Sequence, residues 1–402
     1  MGEVFWTALK LGLTSFGGPI AHLGYFQQTY VRRLRWLSSE EYVHLVALCQ
    51  TLPGPTSSQV GFLVGLRRAG WPGAVAAWSG FTLPSALLMY AFAMLARIVV
   101  FQGGHGWWLP VLHGLLLTAV AVVAQAVWSM ARSLCPDWPR RAIAALSCAA
   151  LLLFASPSTQ VVVMLLAAVG SFLMCPRALP SNEPAAPAEV SSTRAVRPRT
   201  AAAALILLGL LLPALSGFAL LSPHSPLALC AIFYRAGALV FGGGHVVLPL
   251  LRQELVPGGW LSDSDFLSGY ALAQGLPGPL FTVAGYLGAA SAPAHQTAVW
   301  SLLAVLAIFL PGLLLATGGL SLWSWLTKFP SASAALAGVN ASVVGILGAA
   351  LYNPVWRSGV HDLVDAATAV IAFALLQRWR LPAPAIICLC VGISLARGPA
   401  SL

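Results

Sequence analysis

Gln50-Thr51-Leu52-Pro53-Gly54-Pro55 decides how this chain folds, because it interrupts an apolar segment and because it occurs twice. The second copy, Gln274-Gly275-Leu276-Pro277-Gly278-Pro279, lies 224 residues further on. Each proline removes an amide donor and clashes with the preceding turn, and the glycine loosens the backbone, so a helix stops at such a triplet. In hydrocarbon a broken helix leaves backbone groups unsatisfied, and breaks persist only where protein or a water-filled cavity covers them. Two matched breaks in two halves of one membrane protein point to a transport site between them.

The rest of the 402-residue chain supports a membrane setting. It is 58% hydrophobic and 8% charged, with a mean hydropathy of +0.84. Soluble domains carry roughly a quarter charged residues. The expected class is therefore an all-α polytopic membrane protein, its partner the lipid bilayer, with about 13 apolar segments long enough to cross or nearly cross. The net charge of +10 reads as topology, since Lys and Arg hold cytoplasmic loops inside, and 14 of the 21 basic residues precede position 200. No basic helix or aromatic-basic module lies outside the apolar runs, so nucleic acid is not expected as a partner. No glycine-lysine nucleotide loop occurs, which argues against ATP-driven pumping. The seven cysteines lie mostly in apolar runs, and Cys388-Leu389-Cys390 lacks a zinc spacing, so neither metal nor cofactor is expected. Glu3 ahead of the first apolar run, and Phe16-Gly17-Gly18-Pro19 after it, do not make a signal peptide.

The chain divides into an N-terminal repeat (1–175), a Pro- and Ala-rich flexible linker (176–200), a linking transmembrane helix (201–225) and a C-terminal repeat (226–402). Phe16-Gly17-Gly18 answers Phe241-Gly242-Gly243, and Trp36-Leu37-Ser38 answers Trp260-Leu261-Ser262. Across 36–55 and 260–279, ten of twenty positions are identical. This is a duplicated module rather than a solenoid. The segments 142–155 and 161–174 read as two short spans or one helical hairpin.

The orientation of the copies rests on two signals that pull apart. Arg32, Arg33, Arg35, Arg67 and Arg68 map onto Val256, Pro257, Gly259, Ser291 and Ala292, and this loss of charge favours an inverted repeat with broken helices. If 42–65 crosses once, an odd number of segments separates the copies, which also inverts them. A single crossing, however, puts Arg32–Arg35 and Arg67–Arg68 on opposite faces. A re-entrant hairpin at Pro53-Gly54-Pro55 would cure that and, on this count, make the repeat parallel. We favour inversion.

The chemistry of a broken helix suits an anion. Free amides at a half-helix N-terminus carry about half a positive charge. Thr56, Ser57, Ser58 and Gln59 in copy one, and Thr282 in copy two, would stand beside them. Gly17 and Gly18, and Gly242, Gly243 and Gly244, allow close approach of a ligand or of another backbone, tight helix packing being the alternative. His22 and His245 follow these glycines and suit an anion contact, a proton relay or a structural role. Gln50 and Gln274 could hydrogen-bond the freed backbone. Arg35, Arg67 and Arg68 could attract an anion or simply mark the inside face. Glu40, Glu41, Glu254, Asp263 and Asp265 are the carboxylates nearest the motifs. The pair Asp263 and Asp265 also leaves open a membrane-embedded transferase using a metal diphosphate.

The blocks Phe16-Gly17-Gly18-Pro19-Ile20-Ala21-His22, Arg35-Trp36-Leu37, Gln50 to Pro55 with Gln59, and Arg67-Arg68-Ala69-Gly70 resemble the N-terminal half of the chromate ion transporters. Phe241-Gly242-Gly243-Gly244-His245 through Leu251, Gly259-Trp260, and Gln274 to Pro279 with Leu280-Phe281 resemble their C-terminal half. The resemblance covers both halves and implies a long-chain, two-domain member. It implies a secondary carrier of the bacterial inner membrane that exports chromate, driven by the proton gradient, and gives chromate resistance, without enzymatic activity. Sulfate, a tetrahedral dianion of similar size, is the natural competitor or alternative substrate, and a homodimer is an allowed assembly. The carry-over places Gly17, Gly18, His22, Pro53, Gly54, Pro55 and Gln59 in one half's motifs, and Gly242–Gly244, His245, Pro277, Gly278 and Pro279 in the other's. Relatives often carry an acidic residue before the arginine pair, where this chain reads Gln27-Gln28-Thr29-Tyr30, so a carboxylate proton site there is not expected.

Overall fold

The computed structural model describes residues 1–16, 18–101, 108–154, 157–174, 198–241, 244–326, 330–379 and 381–398. Every regular element among them is helical. The first repeat comprises α1 (Gly2–Thr14), α2 (Gly18–Phe26, continued by a π-helical turn to Arg33), α3 (Ser39–Thr51), α4 (Thr56–Phe101), α5 (Trp108–Leu134), α6 (Trp138–Leu153) and α7 (Pro157–Met174). Helix α8 (Pro198–Leu221) links it to the second repeat. There follow α9 (Pro226–Leu239), α10 (Val247–Leu255), α11 (Asp263–Gly275), α12 (Val283–Ser291), α13 (Thr297–Leu326), α14 (Pro330–Ala350), the short α15 (Arg357–Gly359), α16 (Leu363–Arg378) and α17 (Ala383–Arg397). The linker read at 176–200 lies outside the described residues, apart from 198–200, which open α8.

Five of the described helical stretches are long and apolar enough to cross a membrane, fewer than the segments counted in the sequence. The difference lies in the motif-bearing helices. α3 and α11 have 13 residues each, or about 20 Å at 1.5 Å per residue, against a hydrocarbon core of about 30 Å. They pair into hairpins instead. α4 is really two helices, since Ala69 and Gly70 leave helical geometry and divide it into 56–68 (α4a) and 71–101 (α4b). Arg67 at the end of α4a pairs with Glu41 at the start of α3. A continuous crossing would hold these residues about 40 Å apart. The chain therefore turns back at Pro53-Gly54-Pro55, and the single crossing of 42–65 is corrected to a re-entrant hairpin. The second copy does the same, for Gly269 of α11 faces the Tyr286 ring of α12 across Pro277-Gly278-Pro279. α9 and α10 likewise fold together, clamped by Arg235 and Glu254.

The repeat is nonetheless inverted. α4b and α13 occupy equivalent places after their hairpins and carry Pro84 and Pro311 in their interiors. The Trp78 ring meets the Phe309 ring at 5.7 Å, and Tyr90 Oη lies 3.2 Å from Thr297 Oγ1. Residue numbers rise along one helix as they fall along the other, so these equivalent helices run antiparallel and their repeats point opposite ways. The expectation that re-entrance would make the copies parallel is thereby corrected. The hairpins contribute no traverse, so the reversal is made by the helices between them, α4b to α8.

Glycine permits the closest helix contacts. Gly12 of α1 lies under the Phe81 carbonyl of α4b, and its counterpart Gly237 of α9 lies under the Ile308 carbonyl of α13. A Cβ in either place would strike backbone, so the small residue sets the interaxial distance. Further out the halves exchange helices, with α5 packed against α16 and α17 and α14 packed against α6 and α7. Ile206, Leu210, Leu220, Leu165 and Leu166 stay exposed on the outer helices, as a lipid-facing surface requires.

Candidate transport site

Each Pro-Gly-Pro is the tip of a hairpin, and each tip is seated in the opposite repeat. Leu52 and Leu276, the residues before the first proline, are extended (φ −88°, ψ 146° and φ −92°, ψ 148°), as a following proline demands. Gly54 and Gly278 then take φ of +120° and +98°, a region that only glycine occupies without strain. The Gly54 amide donates to the Val240 carbonyl at 2.7 Å, and the Gly278 amide donates to the Ser15 carbonyl at 2.9 Å. Ser15 and Val240 are the C-caps of α1 and α9. An orphan carbonyl at a broken helix end is thus satisfied by an orphan amide from the other repeat. The bonds are reciprocal, and they join each proline tip to a helix end of the opposite repeat.

Around the two tips the copies differ in polarity. α4a begins Thr56-Ser57-Ser58-Gln59, with Ser57, Ser58 and Gln59 all buried. The matching start in the second copy is Leu280-Phe281-Thr282, and Thr282 spends its hydroxyl on the Pro279 carbonyl at 2.8 Å. Gln59 Nε2 donates to the Pro53 carbonyl at 2.9 Å and to the Gly312 carbonyl at 3.0 Å. It closes its own tip and ties it to α13, where Pro55 and Gly54 press on Gly312. His22 is buried, its Nδ1 lies 3.3 Å from Ser57 Oγ, and its ring packs edge-on to Phe81. It is also within hydrogen-bonding reach of the Ser15 main chain. Ser15, His22 and Ser57 therefore form one cluster at the N-terminus of α4a. The buried hydroxyls of Ser15, Ser58 and Thr82, and Gln59 Oε1, make no hydrogen bond among the described residues.

The remaining expected residues fall in different places. Gly17, Gly242 and Gly243 lie outside the described residues, as does the side chain of His245. Gly18 and Gly244 open α2 and the turn before α10. Gln50 is exposed, so it does not serve the buried backbone as expected. Its role belongs to Gln59, because the hairpin turns Gln50 away from the tip. Gln274 instead bonds the Tyr270 side chain. Arg67 pairs with Glu41, while Arg68 reaches Glu3 at 3.3 Å and lies over the Trp36 ring. Their charge is thus largely spent on the hairpin. Arg35, at φ 50°, is exposed.

The carboxylates nearest the motifs are also committed. Asp263 receives both Arg252 Nε and Nη2, at 2.7 and 2.8 Å. Asp265 accepts from Ser262 at the cap of α11, and Glu254 pairs with Arg235. An Asp263–Asp265 metal-diphosphate site has no free carboxylate pair to build on. The sequence missed a different cluster, in which His113, His361 and Asp365 bring ligand-type atoms within 4.8 Å of one another. Arg397 and the His361 amide already occupy the Asp365 oxygens. That makes the cluster an ion-pair network rather than a metal site. No short-range pattern could have exposed it, since its partners come from three distant helices. Ser15, Val240 and Gly312 were also missed, though Ser15 directly precedes the glycine motif.

A family model described as Chromate transporter matches residues 2–172 and 227–395. A probable chromate transport protein of Synechococcus elongatus is 28% identical over 386 residues, covering 94% of this chain and 91% of that protein. A chromate transport protein of Pseudomonas aeruginosa is 29% identical over 362 residues, covering 86% and 79%. One of Cupriavidus metallidurans is 27% identical over 374 residues, covering 92% and 86%. No solved structure matches.

Proposed function

This chain belongs to the chromate transporter family, and from that premise we propose that it is a secondary carrier exporting chromate across the bacterial inner membrane, driven by the proton gradient. The observation that carries the reading is the reciprocal seating of the two tips, each bonded to a helix C-cap of the opposite repeat. Chromate is a dianion, and the α4a amides with Ser15, His22, Ser57 and Ser58 offer it neutral donors. A site without a fixed cation releases its anion more readily than one holding an ion pair.

In this reading Gly17, Gly18, Gly54, Gly242–Gly244 and Gly278 let the backbone approach the anion, and Pro53, Pro55, Pro277 and Pro279 hold the tips open. Gln50, Gln274 and His245 belong to the approaches, with Arg35 at the mouth. The two repeats act as units joined by the 176–200 linker and α8. Alternating access consists in one tip leaving its C-cap carbonyl while the other stays bound, which the inverted repeat makes equivalent from the two sides. Sulfate, matched in shape and charge, competes.

The test is chromate accumulation in cells with and without the protein, with sulfate as competitor. Expressing cells should hold less chromate, and excess sulfate should reduce the difference. Equal accumulation at matched protein level refutes export, and indifference to sulfate refutes a shared dianion site.

A further inference from the structure

Away from the tips, α5, α16 and α17 meet at a buried polar cluster that the transport centre does not use. His113 of α5 and Asp365 of α16 are 5% and 1% exposed. His113 Nδ1 lies 3.2 Å from Ser394 Oγ of α17, and His113 Nε2 lies 3.3 Å from Asp365 Oδ2. That Nε2 makes no hydrogen bond among the described residues. Arg397 Nη1 donates to Asp365 Oδ1 at 2.7 Å, and its other nitrogen pairs with Asp362. His361, half exposed, stacks on the His113 ring at 5.6 Å and brings its Nδ1 within 3.9 Å of Asp365 Oδ2.

With both imidazoles neutral, two carboxylates face a single guanidinium among the described residues, and these groups together hold one surplus negative charge. A partly buried charge without a partner is costly. One proton held between His113 Nε2 and Asp365 Oδ2 removes the surplus and gives Nε2 its missing bond. Histidine is the side chain whose ordinary titration falls near neutrality, and exposed His361 connects the pair to water. Other elements packed on α5 add little charge. Asp263 and Asp265 of α11 are held by Arg252 and Ser262, Arg357 of α15 is exposed, and α14 has no ionisable residue.

The cluster is joined to the transport centre by one face of α17. Ser394 touches His113, Val391 packs on Gly114, and Ile387 packs on Gly275, beside the second tip. These spacings stack along one side of a helix. Resting on the proton-driven reading above, we propose that His113 and Asp365 form the proton-binding site of this transporter, with His361 as its access to water and α17 as the link to the Pro277-Gly278-Pro279 tip.

The experiment uses the full-length protein in inside-out vesicles, with chromate uptake measured under an imposed pH gradient and again as exchange at equal pH on both sides. His113→Gln should lower gradient-driven uptake about tenfold, the weight of one pKa unit, and flatten its pH profile, while exchange stays near wild type. His361→Gln should slow gradient-driven uptake less. Should Asp365→Asn fail to reach the membrane, Ser394→Ala, which removes the Nδ1 partner, should still displace the pH profile. His113→Gln with a wild-type pH profile overturns the proton site, as does equal loss of exchange and gradient-driven uptake. Wild-type uptake that ignores the gradient overturns the proton-driven reading itself, a distinguishable result.

Discussion

Replacing Gly54 with alanine should damage transport more than the same change at Gly278, although the two residues are counterparts. Both have positive φ, +120° and +98°, so each alanine pays a backbone strain of roughly 1–3 kcal/mol. The surroundings then separate them. A Cβ on Gly54 would lie 2.9 Å from Gly312 Cα and 3.0 Å from Gln59 Nε2. The first of these is backbone that cannot rotate away, adding roughly 1–3 kcal/mol of overpacking. A Cβ on Gly278 would lie 2.7 Å from Ser85 Oγ, which a change of rotamer relieves. The difference of about 1–3 kcal/mol corresponds to roughly tenfold to a hundredfold in occupancy of the working tip geometry. The assay is chromate uptake into inside-out vesicles at matched protein level, with thermal unfolding of the purified protein alongside. Ser85→Gly added to Gly278→Ala should restore only a small part of the loss, because the strain at φ +98° remains when the Ser85 contact is gone. Equal activity of the two alanine variants, or recovery of most of the Gly278→Ala loss by Ser85→Gly, refutes the packing account of the tips.

Gln59→Leu leaves the Pro53 carbonyl without its donor and cuts the tie to Gly312 of α13, at roughly 1–3 kcal/mol for the unsatisfied group, so it should reduce uptake at least as much as Gly278→Ala, whereas Gln50→Leu should have little effect in the same vesicles. Cysteines replacing Glu41 and Arg67 should cross-link under mild oxidation and should be labelled from the same face of the membrane. Labelling from opposite faces would disprove the re-entrant hairpin. Asp263→Ala should weaken the Arg252 contact and lower stability modestly without abolishing uptake; complete loss of uptake would give Asp263 a direct role. The Asp365 amide and the Arg397 guanidinium hold the Asp362 carboxyl below the usual carboxylate range. The unfolded chain therefore binds this proton first, and the stabilisation is present above about pH 4 and fades as pH falls through the lower folded value. The stability gap between wild type and Asp362→Asn should close on acidification, as thermal unfolding across pH would show.

Much of this protein is legible because membrane chemistry is local and severe. The scarcity of charge alone imposed helices. The two Pro-Gly-Pro triplets located the turns, since a missing amide and a positive φ are properties of the residues themselves. The loss of Arg67 and Arg68 in the second copy correctly hinted at inversion. The error lay in coupling inversion to a single crossing of 42–65. Whether α3 and α4a continue or fold back depends on Glu41 meeting Arg67, a contact between charges 26 positions apart that no periodicity encodes. Gln50 was the glutamine expected to bond the freed backbone, but the hairpin turns it outward and seats Gln59 against Gly312 instead. The sequence by itself determined a duplicated, helical membrane chain broken twice at matched places. Only the tertiary structure decided that each break is completed by the opposite half, and that His113 and Arg397 converge on the buried Asp365 carboxylate. Hydrogen bonds and ion pairs between residues far apart in the chain are chosen by the packing of whole helices, whereas propensities act within a turn or two.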